Sequence, residues 1–213
     1  MTHLINSLID AAREVGTNLP PESASRVQLY FRELLAWNQK INLTGSADET
    51  VLLLDHFIDS LLPSKFIPLR STLVDIGSGA GFPGIPLKII RPDISVTLLD
   101  ASLKKIVFLR HIVRTLDLKG VSTYHGRTED CSREKRIFSV CIGKAFGPLS
   151  VFLPAALPLR TPGGVIIAMK GPNYKREVQL VESNFSQWSI ALRQIEHFVL
   201  PSTNKKRAIL VFG

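Results

Sequence analysis

Residues 73–90, LVDIGSGAGFPGIPLKII, set four glycines and two prolines between apolar residues that suit a buried strand and a helix. Glycine adopts backbone angles that side chains forbid and lets a ligand approach the chain closely, so this cluster demands a tight turn that carries something. Two occupants are open at this point: the phosphates of a dinucleotide, or a nucleoside with no phosphate. The chain has 213 residues, 45% of them hydrophobic, enough for one substantial core and a small extra lobe, since domains run to about 100–200 residues.

The periodicity changes on either side of Pro63. Before it, Val27, Tyr30, Phe31, Leu34 and Leu35 recur at helical spacing in 22–38, and Leu54, Phe57, Ile58, Leu61 and Leu62 do so in 49–62. After it come short β-rich runs at 72–76, 95–99, 121–125, 137–142, 164–169, 193–200 and 207–212, with helices predicted at 84–90, 102–118 and 127–134. Strands alternating with helices argue for a mainly parallel sheet covered on both faces. The last two runs are joined by PSTNKK, with no room for a helix, which predicts a closing antiparallel hairpin. The expected fold is α/β: a doubly wound, seven-stranded, mainly parallel Rossmann-like sheet of the class I methyltransferase type. Residues 1–62 form its N-terminal helical extension and 63–213 one compact unit.

The longest apolar runs, such as 163–169 and 151–159, fall well short of the roughly 18 residues of a membrane span. The N-terminus carries acidic residues and helical spacing at Leu4, Leu8, Ala12 and Val15, unlike a signal peptide. Cys131 and Cys141 have no C-x-x-C or histidine cluster around them, so neither a disulfide framework nor a metal site is suggested. A monomer in a reducing, cytoplasmic setting is expected, away from membranes. Residues 1–62 hold four Arg/Lys against eight Asp/Glu, net −4, whereas 63–213 hold 22 against 10, net +12. That asymmetry favours a polyanionic partner such as nucleic acid, although an ordinary basic surface explains it equally well.

Within the glycine turn, GAGFPG (79–84) satisfies G-x-G-x-x-G, and Asp75 stands two residues ahead of Gly77 at the end of the first strand. A carboxylate there repels phosphate and welcomes a cation, and Pro83 and Pro86 remove N–H donors where a pyrophosphate needs them. The favoured cofactor is therefore a cationic one, a description that S-adenosyl-L-methionine fits with its ammonium and sulfonium. Asp100, ending the second strand, is placed to accept hydrogen bonds from ribose hydroxyls; the competing reading is a helix cap, for which Ser102 is better suited. Thr128 and Glu129 follow the third strand, where adenine contacts fall in this architecture, or simply begin a helix.

DIGSGAGFPGIPLKI, NLTG (42–45), HFIDSL (56–61), LLDASLKK (98–105), GRTED (126–130), KAFGPL (144–149) and AMKG (168–171) together resemble, in order, the bacterial small-subunit (16S) ribosomal RNA guanine-N7 methyltransferase of the glucose-inhibited division protein B family, over roughly residues 25–213. The resemblance implies that the glycine turn at Gly77 and Gly79 binds S-adenosylmethionine, that Phe82 packs on it, and that Thr128 and Glu129 flank its adenine. It also implies a cofactor-side role for Lys144, where relatives carry arginine, and an assembling small ribosomal subunit or its RNA as partner. Asp55 stands where relatives often have arginine.

Guanine N7 already carries a free lone pair, so transfer by in-line displacement requires no general base, in keeping with a chain that shows no obvious catalytic triad or carboxylate pair. His56 and Asp59, three apart on one helix, are substrate-side candidates; Asp59 orienting the imidazole against the glycine turn is the stronger reading. Lys170, ending the fifth strand, is a third candidate, against a solvated lysine. Candidate RNA contacts are Lys104, Lys105, Arg110 and Arg114 after Asp100, and Lys205, Lys206 and Arg207 in the final turn, each individually also readable as a surface charge. The alternatives are a methyltransferase of another RNA, a protein or a small molecule, and a non-catalytic ribosome-binding factor on the same fold.

Overall fold

The structure, a computed structural model, describes residues 2–45, 56–201 and 203–213. Leu54 and Asp55 lie outside the described residues.

Helix α1 (Thr2–Glu14) and α2 (Ala24–Ile41) open the chain. The spacing seen in 22–38 becomes a buried face of Val27, Tyr30, Phe31 and Leu34 on α2, which ends where Asn42 turns left-handed (φ 49°). The short helix α3 (Asp59–Leu61) leads into the sheet. There follow β1 (Thr72–Ile76), α4 (Gly84–Ile90), β2 (Ser95–Asp100), α5 (Leu103–Thr115), β3 (Val121–His125), α6 (Thr128–Arg133) and β4 (Phe138–Lys144). The chain closes with α7 (Leu149–Ala156), β5 (Arg160–Lys170), α8 (Tyr174–Gln179), β6 (Leu192–Val199) and β7 (Lys206–Phe212).

The seven strands lie in the order β3-β2-β1-β4-β5-β7-β6. Strands β1 to β5 are parallel, and Asp75 on β1 sits opposite Leu98 of β2 on one side and Ile142 of β4 on the other. The hairpin is antiparallel as expected, and β7 inserts between β5 and β6, pairing with both. Because β1 has β2 on one side and β4 on the other, the chain reverses its winding there, and a crevice opens at the carboxyl ends of the strands.

Two apolar layers cover the sheet. Leu73, Leu98, Val140, Ile142 and Ile167 face a core completed by α1, α2, α4 and α5; Leu8, Ala12 and Tyr30 belong to that same cluster. Val74, Ile76, Cys141 and Ile166 face α6, α7 and α8. Burial on both faces is why the central strands read as unbroken apolar runs in the sequence.

Two helices go beyond the sequence expectation. In α7, Pro154 lies inside the helix, where it forfeits a backbone hydrogen bond; burial of Leu149, Phe152, Leu153 and Ala156 outweighs that loss. The single buried Tyr174 and the mostly polar sequence YKREVQ left no clear stripe for α8.

Candidate active site

A cavity of about 650 Å³ lies at the carboxyl ends of β1 to β4, bordered by Gly77, Asp100, Thr128, Glu129, Phe146 and Pro154. Gly77 begins its floor: the N–H groups of Gly77 and Ser78 both donate to Leu99 O, at 2.8 and 3.0 Å, folding the glycine turn over the end of β2. The φ of Gly77 is +73°, and a Cβ there would stand 2.8 Å from the Phe146 ring, so both conformation and space require glycine. Asp100 ties the turns together, accepting the Gly79 N–H on Oδ2 (2.9 Å) and the Ser102 N–H on Oδ1 (2.8 Å). A carboxylate has about four lone-pair sites, which leaves two for further donors such as vicinal hydroxyls. Thr128 and Glu129 open α6 on the opposite wall, Thr128 Oγ1 lying 3.3 Å from Glu129 Oε2. Phe146, Val151, Pro154, Ala155 and Pro158 form an apolar wall, and Arg127 and Ser132 add to the polar lining.

Asp75 and Phe82 occupy different places from those the sequence suggests. Alternation along β1 turns Asp75 to the α4 side, where it is fully buried and its Oδ2 accepts the Gly84 N–H at 2.9 Å. It supports the turn from behind and stands outside the cavity lining. Burial pushes its carboxyl up to about 7, against the lowering effect of the Gly84 N–H. Gly84 is there to make room, since a Cβ would meet Leu98 at 2.5 Å and Asp75 Oδ2 at 2.8 Å. Phe82 is 8% exposed and packs between the rings of Tyr30 (5.6 Å) and His56 (5.4 Å, stacked), also outside that lining. The Tyr30 hydroxyl donates to Ala80 O at 2.6 Å, tying α2 to the turn.

A second cavity, of about 530 Å³, lies beside the first at the ends of β4, β5 and β7, with His56, Asp59, Lys144, Lys170, Glu177 and Arg207 in its wall. Lys144 Nζ donates to His56 O (3.0 Å) and lies 3.2 Å from Asp59 Oδ2 and 3.4 Å from Ser60 Oγ. It also sits 5.4 Å above the Phe82 ring. Burial lowers its pKa, and the Asp59 carboxylate works against that. Lys144 therefore clamps residues 56–60 onto β4, on the second cavity and not the first. Arg207 Nε donates to the same Asp59 Oδ2 at 3.1 Å. Seen from the sequence, Asp59 orients His56; in the structure its Oδ2 is held by Lys144 and Arg207, and the His56 ring stacks on Phe82. Lys170 is no solvated lysine: its ammonium reaches Gly147 O (2.5 Å) and Glu177 Oε2 (2.7 Å), and Glu177 also accepts the Leu149 N–H.

One segment separates the two cavities. Phe146 faces the first, while Lys144, Ala145 and Gly147 face the second. Ala145 holds a left-handed φ of 55°, a costly conformation for a residue with a side chain and of the kind that gathers at functional sites.

Residues 23–209 match the family model for GidB, rRNA small subunit methyltransferase G. The chain belongs to that family. Among relatives named ribosomal RNA small subunit methyltransferase G, the protein of Oceanobacillus iheyensis is 34% identical over 210 residues, covering 96% of this chain and 88% of the relative. That of Syntrophus aciditrophicus is 39% identical over 208 residues, covering 95% and 86%. Among solved structures, an O-methyltransferase from Bacillus cereus in complex with SAH matches with a TM-score of 0.62 at 17% identity, covering 98% of this chain and 99% of that one. TYW2 of M. jannaschii in complex with AdoMet matches at a TM-score of 0.56 and 16% identity, covering 70% and 72%. At such identities the likeness is one of fold, and that fold is the class I methyltransferase fold.

The seven cations expected to meet RNA fall into three groups. Lys205 and Arg207 line the second cavity, with Lys206 exposed between them. Lys104 is exposed, and Lys105 lies 4.0 Å from Asp100 at the rim of the first cavity. Arg110 and Arg114 point along β3 at the far end of the sheet, Arg110 Nε donating to Thr123 Oγ1 at 3.2 Å. No single track joins them. Phe146, Ser60 and Glu177 are among the site residues that sequence reasoning passed over: the first two lie inside motifs read as wholes, and Glu177 meets Lys170 only through the fold. Among the described residues, no group of His, Cys, Asp and Glu could hold a metal, and no helix is long and apolar enough to cross a membrane.

Proposed function

We propose that the protein transfers a methyl group from S-adenosyl-L-methionine to N7 of a guanine in small-subunit ribosomal RNA, with the first cavity taking the cofactor and the second the base. The observation that carries this reading is the wall of residues 144–147 common to both cavities. Two compartments that meet at one short segment suit a donor and an acceptor whose reacting atoms come into contact past its edge.

The first cavity fits the cofactor's chemistry. The Asp100 carboxylate offers acceptors for ribose hydroxyls, Gly77 leaves room against Phe146, Thr128 and Glu129 offer polar contacts to adenine, and the apolar wall excludes water. When bound, the cofactor supplies an electrophilic methyl on a sulfonium, which leaves as a neutral thioether. This chain's residues need only hold and align, because the N7 lone pair attacks without losing a proton and the positive charge passes to the base. Asp75 positions the turn through Gly84, and Lys144 positions His56 and Asp59 at the base side.

The family membership supports an RNA substrate, and Lys205, Lys206 and Arg207 at the mouth of the second cavity suit its phosphates. We further propose that residues 1–62 act as a base-side extension of one compact unit, working as a cytoplasmic monomer without a membrane; both cysteines are free and buried, in keeping with a reducing setting. Incubation with labelled cofactor and small-subunit RNA tests the function: label at guanosine, abolished by Gly79→Asp, is expected, and unlabelled RNA beside intact cofactor binding sinks it. Gly79 has φ +57° and donates to Asp100, so a side chain there disturbs the turn itself.

A further inference from the structure

The segment between the two cavities is gripped at both ends by charged side chains. At its start Lys144 is held on His56 O and Asp59 Oδ2. At its end Lys170 Nζ donates to Gly147 O at 2.5 Å, and Glu177 Oε2 accepts the Leu149 N–H at 2.8 Å. These two holds are joined, because the same Glu177 Oε2 lies 2.7 Å from Lys170 Nζ. Helix α7 begins at Leu149, and Pro148 before it makes no side-chain capping bond, so this N–H of the first turn is satisfied by Glu177 from α8 instead.

What lies between the grips is backbone that does not hold itself. Ala145 sits at φ 55°, and a left-handed conformation in a residue with a side chain persists only where its surroundings over-determine it. Phe146 presents its ring to the first cavity, while Ala145 and Gly147 face the second. A shift of Gly147 or Leu149 therefore moves the edge past which donor and acceptor meet. In-line displacement tolerates little of this, since about 1 Å of misplacement costs on the order of 100-fold in rate. Resting on the function proposed above, we infer that Glu177 is a positioning residue for methyl transfer: with Lys170 it fixes residues 145–149 so that the sulfonium methyl and the attacking nitrogen come into line. Its effect is carried by the backbone it holds and not by a contact with the base.

The test compares wild type with Glu177→Ala and Glu177→Gln on small-subunit RNA, well below each protein's melting temperature. The single-turnover rate at saturating RNA and S-adenosylmethionine is set against the half-saturating concentrations of both. Glu177→Ala removes the hold on Leu149 and Lys170 and is expected to slow the saturated rate by about tenfold or more, with both half-saturating concentrations within about threefold of wild type. In Glu177→Gln one carbonyl oxygen can still accept from both donors, and the rate is expected to stay within about threefold of wild type. A saturated rate in folded Glu177→Ala that is unchanged, or changed less than the half-saturating concentrations, overturns the inference, because the pair then serves only folding or binding. A Glu177→Gln protein as slow as Glu177→Ala also overturns it. If Glu177→Ala does not fold, Glu177→Asp decides: it keeps the charge but withdraws it by one methylene, so a tenfold slower saturated rate upholds the inference and an unchanged one contradicts it. No transfer to RNA by the wild type fails the function beneath, an outcome that involves no variant and is distinct from the others.

Discussion

At the scale of single residues, the turn is specified by positions whose reasons differ. Gly77 is constrained by φ and by the Phe146 ring together. Gly77→Ala is expected to weaken S-adenosylhomocysteine binding by about tenfold or more in calorimetry, since a side chain at left-handed φ costs roughly 1–2 kcal/mol before the clash is counted. Asp75 gives a second expectation through pH. Its ordinary pKa is about 4, and in the fold burial pushes it to about 7. Below pH 4 both states hold the proton; between 4 and 7 only the unfolded chain releases it, so stability falls across that window and levels off above it. Denaturation of Asp75→Asn, which keeps an acceptor for Gly84, is expected to lack this fall, on the order of 3–4 kcal/mol. The same pH slope in both proteins contradicts the assignment. The sequence made Asp75 conspicuous as an acid beside glycines, but the side of the strand it faces is decided by packing against α4, which no local pattern records.

At the scale of elements, the strands and the helices α4, α5 and α6 were legible because buried parallel strands and amphipathic helices leave strong periodic signals. Helix α7 was hidden by Pro154, and with it went Val151, Pro154 and Ala155, part of the apolar wall of the first cavity. The contact of β4 with residues 56–61 was equally hidden: Lys144 and His56 are far apart in the chain, and only the fold joins them. The resemblance assigned Lys144 to the cofactor, yet its ammonium is spent on His56, Asp59 and Ser60. Lys144→Met is therefore expected to lower stability by up to about 3 kcal/mol, reduced by the Arg207 contact that remains to Asp59, and to depress methylation. S-adenosylhomocysteine affinity is expected to change little, because Lys144 is absent from the first cavity. A large loss of cofactor affinity in a folded Lys144→Met protein counts against this account. Lys144→Arg offers the same acceptors a cation and is expected to retain activity.

At the scale of the whole molecule, charge and topology act together. The winding reversal at β1 opens the crevice, α1 and α2 share a core with the sheet, and the closing hairpin brings Arg207 to the same edge as Lys144 and Lys170. The basic excess of residues 63–213 was visible in composition, but its division among the second cavity, the rim of the first and the β3 edge was not. Charge reversal at Lys205 and Lys206 is expected to raise KM for RNA more than replacement of Arg110 and Arg114. It should also flatten the salt dependence, whose log–log slope on single strands drops by roughly 0.7 for each phosphate no longer neutralised. Cofactor affinity should be insensitive to salt throughout. The central claim is that these two cavities carry methyl from S-adenosylmethionine to guanine N7 in small-subunit RNA. Mass spectrometry of small-subunit RNA nucleosides from cells with and without the protein tests it most directly: one 7-methylguanosine is expected to vanish when the protein is absent and to return with the wild-type chain but not with Gly79→Asp, and persistence of every 7-methylguanosine in its absence contradicts the account.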